Sequence, residues 1–303
     1  MADLAAQSMD MMMTAWKDRK QYTDVLGHRM AHVEQGLGQA VLLVHGNPTS
    51  SFLWRDVMGA MSGAGRLLAP DLIGMGDSDK LPGSGPDRYT LAEHARFLNT
   101  WIDKVIPDGP ITLVVHDWGG PLGLQWARQN PDRVRGVAYM ETVLRPMVMD
   151  EWPEGIRGLF GAMRSDAGEE MILDKNIFVE RILPGSVLRK LSADEMAEYR
   201  RPFTEPGEGR RPTLSWPRQI PLDNQPAEST GIVAENWAWL SGSDVPKLLI
   251  DAEPGAIMKG AVLQDARGLS NQAEITVAGS HFIQEDSAAE IGQAILDWMS
   301  GLD

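Results

Sequence analysis

The chain has no cysteine. Disulfides, thiolate metal sites and a thiol nucleophile are therefore outside its chemistry. It also has no apolar run approaching the ~20 residues that cross a bilayer, so no transmembrane helix is expected. Positive charge is in deficit: 28 Lys and Arg stand against 42 Asp and Glu, a formal net charge of -14. An acidic surface repels phosphate backbones and argues against nucleic acid as a partner. It argues against anionic substrates too, except where a local basic patch overrides the mean. The first residues, MADLAAQSMDMMMTAW, lack a basic start, and Asp3 and Asp10 interrupt any apolar stretch. A cleaved signal is not expected. The simpler expectation is a cytoplasmic protein with a loosely ordered segment over residues 1–20.

The 303 residues are 43% hydrophobic and 23% charged. That is enough for one sizeable core with a smaller insert. QYTDVLGHRMAHVE (21–34) reads as two strands around a turn at Gly27. AVLLVHG (40–46) is a continuous apolar run, the pattern of a strand buried on both faces. Helix and strand then alternate: helix 51–62, strand 66–72, helix 90–105, strand 111–117, helix 120–130, strand 134–141. Such alternation implies a mostly parallel sheet with helices on both faces. It stops after Glu141. Residues 143–228 read as short helices broken by Pro153, Gly168, Pro184, Pro206, Gly207, Pro217 and Pro221. The pattern resumes with a helix at 229–241, strands at 247–253 and 273–279, and a last helix at 287–299. The expectation is an α/β core (21–142 and 229–303) carrying a helical cap (143–228) over the C-terminal ends of its strands, where open α/β sheets bind ligands.

LVVHDWGGPLGL (113–124) is the most informative segment. A buried strand runs into His116-Asp117-Trp118-Gly119-Gly120 and a helix follows, the setting of a nucleophile elbow. Two positions before the nucleophile stands Val115, where the G-x-S-x-G form has glycine. The nucleophile position holds Asp, not Ser. A serine must first be deprotonated by histidine. An aspartate is already ionised near neutral pH and can attack a saturated carbon to form an ester. Histidine is then needed only to activate water. The loop after the first apolar strand, His45-Gly46-Asn47-Pro48, supplies one backbone donor of the oxyanion hole in this arrangement, and the residue after the nucleophile supplies the other. Here these are Asn47 and Trp118. Their side-chain N–H groups add two convergent donors suited to a leaving halide.

The chain order Asp117…Glu141…His281 is that of nucleophile, acid and base. His281 follows the last strand, just before the final helix. His45 and His116 are expected to hydrogen-bond backbone beside the elbow. His28, His32 and His94 fall on a strand or an exposed helix and receive no role. The acid is open among three residues. Many such hydrolases carry it in the loop after the penultimate strand, where KLLIDAEPGAI has Gly255. Glu141, at the end of the preceding strand, is favoured over Asp251 and Glu253.

Taken together, HGNPTSSFLWR (45–55), PDLIGMGDSDK (70–80), HDWGG (116–120), YME (139–141), EPGAI (253–257) and GSHFIQED (279–286) resemble the haloalkane dehalogenases. The likeness covers about residues 21–300. It implies an α/β-hydrolase fold with a helical cap inserted after the sixth strand, nucleophile Asp117, base His281, acid Glu141, and Asn47 and Trp118 as halide ligands. It also implies an apolar pocket lined by Phe178, Ile182, Trp216, Pro217, Ile257 and Phe282. Ser186 stands where many relatives carry a larger apolar residue. The implied partners are a small apolar halogenated substrate and halide, with no metal or organic cofactor. Epoxide hydrolysis is the main alternative and would need cap tyrosines, of which there is one, Tyr199. Fluoroacetate-type chemistry would need arginines beside the nucleophile, and PLGLQWA (121–127) has none. A coelenterazine-type luciferase and a non-catalytic receptor share parts of the constellation.

Overall fold

A computed structural model describes residues 15–83, 85–152 and 154–302. Residues 1–14 and Pro153, both used in reading the sequence, lie outside the described residues. Eight strands form one sheet in the order β1-β2-β4-β3-β5-β6-β7-β8. They are β1 Gln21–Val25, β2 His28–Gln35, β3 Ala40–Val44, β4 Arg66–Pro70, β5 Ile111–Asp117, β6 Val134–Thr142, β7 Lys247–Pro254 and β8 Gln272–Gly279. β2 pairs antiparallel with both β1 and β4, and the remaining pairs are parallel. Every residue of β3 and of β5 is buried, as the continuous apolar runs require of strands covered on both faces. No helix among the described residues is long and apolar enough to cross a membrane.

Among the described residues between β6 and the helix Ala227–Gly242 lie short helices and no strand, only isolated bridges at Met147, Leu222 and Gln225. We treat residues 143–228 as the cap. Its helices Glu154–Arg164 and Ala193–Arg200 are separated by π-helical turns at Glu169–Asp174 and Phe178–Ile182, and 3-10 turns lead on to the helix Arg211–Gln219. The helix Ala193–Arg200 starts with a capping box, Ser192 accepting from the Glu195 amide and Glu195 from the Ser192 amide. A buried polar cluster fastens this helix to the core. Arg55 bonds Glu195 at 2.9 Å and Glu285 at 2.7 Å, and the Tyr199 hydroxyl donates to Glu285.

Two expectations change. The end of the N-terminal segment is docked, not loose: Trp16 is buried and donates to Ser51 Oγ at 3.1 Å, and Lys20 reaches buried Asp71 at 2.6 Å. His94 is buried, not exposed. The helix Leu91–Val105 buries Leu91, His94, Ala95, Leu98, Trp101 and Ile102, a stripe with helical spacing that includes position 94.

Four histidines are buried where charge is disfavoured. Burial pushes His32 and His45 down to about 4, and His94 and His116 down to about 3. All four are neutral when folded, whereas the unfolded chain takes up protons below about pH 6.5. Because the folded pKa is the lower one, this stability is present above 6.5 and is lost as pH falls toward 4. Between pH 6 and 5 His281, treated below, is protonated when folded and mostly protonated when unfolded, and carboxylates enter only below about pH 5. Urea unfolding between pH 6 and 5 is expected to show an uptake of about three to four protons. Each histidine then accounts for a loss of about 1.4 kcal/mol per pH unit.

Candidate active site

The loop after β3 and the turn after β5 meet at Asp117. Its φ is +50°, a left-handed conformation rare for a residue with a β-carbon and typical of a strained elbow. Close approach makes this possible: a β-carbon on Gly119 would overlap the Val44 carbonyl, and one on Gly46 would overlap the Asp117 carboxylate. With Gly46 bare, the Asn47 amide donates to Asp117 Oδ1 at 2.7 Å. The Trp118 amide, next in the chain, also favours the charge of this carboxylate. The two expected oxyanion donors therefore converge on the same group.

β5 and β6 are in step through Val115↔Tyr139 and His116↔Met140, but Asp117 then pairs with Thr142. Glu141 is the extra residue, a bulge with φ +40°. A bulge re-aims a side chain, and here Glu141 meets His281, with Oε2 3.1 Å from Nδ1. Glu141 also accepts backbone N–H bonds, on Oε2 from Ala256 at 3.1 Å and Ile257 at 2.9 Å and on Oε1 from Met258 at 3.4 Å. Gly255 turns that loop with φ +62°, and a β-carbon there would lie 3.2 Å from Glu141 Oε1. The loop that carries an acid in other hydrolases here binds one. Asp251 is instead bonded by Arg267 at 3.0 Å, and Glu253 is exposed.

His281 Nε2 lies 3.3 Å from Asp117 Oδ2. Burial alone would lower the His281 pKa, but hydrogen bonds to Asp117 and Glu141 and their charges outweigh it and raise it to about 9. Burial likewise opposes the Asp117 charge, but the hydrogen bond and charge of His281 prevail, with help from His116 and the Trp118 amide, and hold it below the usual carboxylate range. His116 Nε2 bonds the His281 carbonyl at 2.8 Å, and the amides of His281 and Phe282 donate to Ser186 at 3.1 and 3.2 Å. His281 is thus held from the core and from the cap. His45 accepts from the Leu72 amide through Nε2 at 3.0 Å, so Nδ1 carries the proton donated to the Gly46 carbonyl at 2.8 Å. Both elbow histidines bond backbone, as expected.

Asp117 opens on a cavity of about 420 Å³. Asn47, Trp118, Phe178, Ile182, Ser186, Pro217, Ile257 and His281 all line it. Asn47 Nδ2 spends one hydrogen on the Thr213 carbonyl at 3.3 Å, and its second remains for a ligand. Trp216 and Phe282 are corrections, since neither lines the cavity. Trp216 is fully buried behind Trp118, stacked on it at 4.6 Å and on His94 at 4.2 Å. Phe282 is turned inward with its ring edge-on to His281 at 4.7 Å. Sequence reading missed Trp152, Ile156, Leu159 and Phe160 as lining residues. The i, i+3, i+4 spacing of the last three on one helix was the available signal. Among the described residues no three His, Asp or Glu side chains are grouped so as to hold a metal.

The model of the α/β hydrolase fold family matches residues 39–288. The chain is 54% identical over 276 residues to a haloalkane dehalogenase of Sphingobium indicum, covering 91% of this chain and 93% of that protein. It is 50% identical over 282 residues to a haloalkane dehalogenase of Mycolicibacterium smegmatis, covering 93% and 91%. Among solved structures, haloalkane dehalogenase DbeA from Bradyrhizobium elkani superposes with a TM-score of 0.88 at 40% identity, over 93% of this chain and 97% of that one. The chain belongs to the haloalkane dehalogenases, within the α/β hydrolase fold.

Proposed function

We propose that this chain hydrolyses haloalkanes through an ester on Asp117. The overall reaction is R–X + H₂O → R–OH + X⁻ + H⁺. The observation that carries the reading is a chain of contacts at an apolar cavity: Asp117 Oδ2 to His281 Nε2 at 3.3 Å, and His281 Nδ1 to Glu141 at 3.1 Å. Oδ1 is held by the Asn47 amide, which leaves Oδ2 as the attacking atom. It displaces halide from the substrate carbon, and the indole N–H of Trp118 and the second Asn47 N–H take up the anion. Water activated at His281 Nε2 then attacks the ester carbonyl. Negative charge develops on Oδ1, facing the amides of Asn47 and Trp118, and the C–O bond within Asp117 breaks to release the alcohol.

Alkylation also prepares the base. Asp117 raises the His281 pKa while it is charged. As an ester it is neutral, and that support is withdrawn. The His281 pKa falls below about 9 at the step where a neutral imidazole is required. The proton leaves to solvent as the remaining product of the balance. The epoxide alternative is not favoured. Tyr199, the one cap tyrosine, is buried against Glu285 and does not line the cavity.

Halide release from short bromo- and iodoalkanes tests the reading, and its absence across a dozen of them contradicts it. His281→Gln is expected to trap an alkyl adduct whose mass maps to the peptide containing Asp117; an adduct on another residue contradicts the nucleophile. Rapid-quench measurement of adduct decay should show a rate that rises with pH and levels off, with an apparent pKa below about 9. For the acid, Glu141→Gln is expected to slow adduct decay roughly 10³-fold, whereas Asp251→Asn and Glu253→Gln stay within about threefold. Gly255→Ala, strained at its φ of +62° and crowding Glu141, should cost about 1 kcal/mol of stability and slow decay about tenfold.

A further inference from the structure

The cavity carries one charged side chain that the reaction above does not use. Its lining is apolar apart from Asn47, Asp117, His281, Ser186 and Arg181. Arg181 and Gly185 are its exposed members, so they mark the solvent end, opposite buried Asp117. Among the described residues Arg181 has no hydrogen-bond or ion-pair partner. That sets it apart within the cap. Every other arginine between residues 143 and 228 is bonded to a carboxylate or a backbone carbonyl. The neighbouring Glu180 is committed to Arg200 at 2.6 Å.

On the reading that Asp117 displaces halide, we infer that Arg181 is a subsite for the far end of a substrate carrying an anionic group, and that ω-haloalkanoates are a substrate class of this enzyme. The balance is X–(CH₂)ₙ–COO⁻ + H₂O → HO–(CH₂)ₙ–COO⁻ + X⁻ + H⁺. The halogenated carbon lies against Asp117, the methylene chain fills the apolar middle, and the carboxylate stays at the wet mouth beside a guanidinium. A carboxylate there keeps much of its hydration, so a modest attraction is not cancelled by desolvation. Arg181 supplies the local positive charge that the acidic surface as a whole denies to anions. Short acids such as bromoacetate are excluded on the same ground. Their carboxylate would be carried into the buried apolar end next to Asp117.

The test compares kcat/KM for 6-bromohexanoate and for 6-bromohexan-1-ol, which differ in charge at the far end, in the wild type, Arg181→Gln, Arg181→Lys and Arg181→Glu. The acid-to-alcohol ratio is expected to fall about fivefold in Arg181→Gln, further in Arg181→Glu, and little in Arg181→Lys, with the change in KM. Sodium sulfate at about 0.5 M should lower the wild-type ratio and leave that of Arg181→Gln nearly flat. A ratio constant within about twofold across all four proteins overturns the subsite. Calorimetric binding of 6-hydroxyhexanoate decides the same point without turnover: weaker binding to Arg181→Gln supports it, and equal binding overturns it. Failure of the wild type to release bromide from the bromoalcohol would instead count against the parent reaction.

Discussion

Two carboxylates share one imidazole away from bulk water. Isolated buried charges of this kind cost several kcal/mol each, so the surrounding chain is arranged to compensate them. Asp117 receives the Asn47 amide, with the Trp118 amide favouring its charge, and Glu141 receives three amides from the 256–258 loop. His281 sits between them with its pKa raised to about 9. The extra residue of β6 makes this arrangement geometrically possible. Without the bulge, strand alternation would turn Glu141 to the other face of the sheet. With it, Glu141 reaches the histidine, and Gly255 leaves room for it to do so.

In the proposed reaction the same electrostatics separates two halves. While Asp117 is charged, His281 is its counterion. When the charge is consumed in a bond to carbon, the imidazole loses the partner that kept it protonated and becomes a base. The proposed exchange needs no movement of His281, which is tethered through its carbonyl to His116 and through its amide to Ser186. Behind the halide position, Trp118 is backed by Trp216 and His94 in a stack of three rings. A cap residue therefore supports a core residue, and the cavity wall is continuous across the two.

What could be read in the sequence was the part governed by local rules. The elbow follows from an apolar run ending in Asp-Trp-Gly-Gly, and the oxyanion loop from an apolar run ending in His-Gly-Asn. Glu141 was favoured from its place at a strand end, the lack of a side chain at Gly255 and the resemblance, whereas the bulge that aims it depends on pairing between β5 and β6. Trp216 and Phe282, implied as lining residues by the resemblance, do not line the cavity, because a matching position does not say which way a side chain turns. Trp216 is drawn behind Trp118 by stacking, and Phe282 is drawn inward against His281. His94 was misread as exposed although its helical spacing with Leu91, Leu98 and Trp101 was visible. Docking of Trp16 and Lys20 depends on Ser51 and Asp71, more than thirty residues away in the chain, and no local pattern announces it.

The central claim is that a carboxylate oxygen of Asp117, and not water, attacks the carbon that bears the halogen. A single turnover in H₂¹⁸O with enzyme in excess tests it most directly, with mass analysis of both the alcohol and the peptide containing Asp117. With carboxylate attack, ¹⁸O enters the Asp117 carboxylate and the first alcohol formed carries ordinary oxygen. Label in the alcohol with an unlabelled Asp117 would mean direct attack by water, and would contradict it.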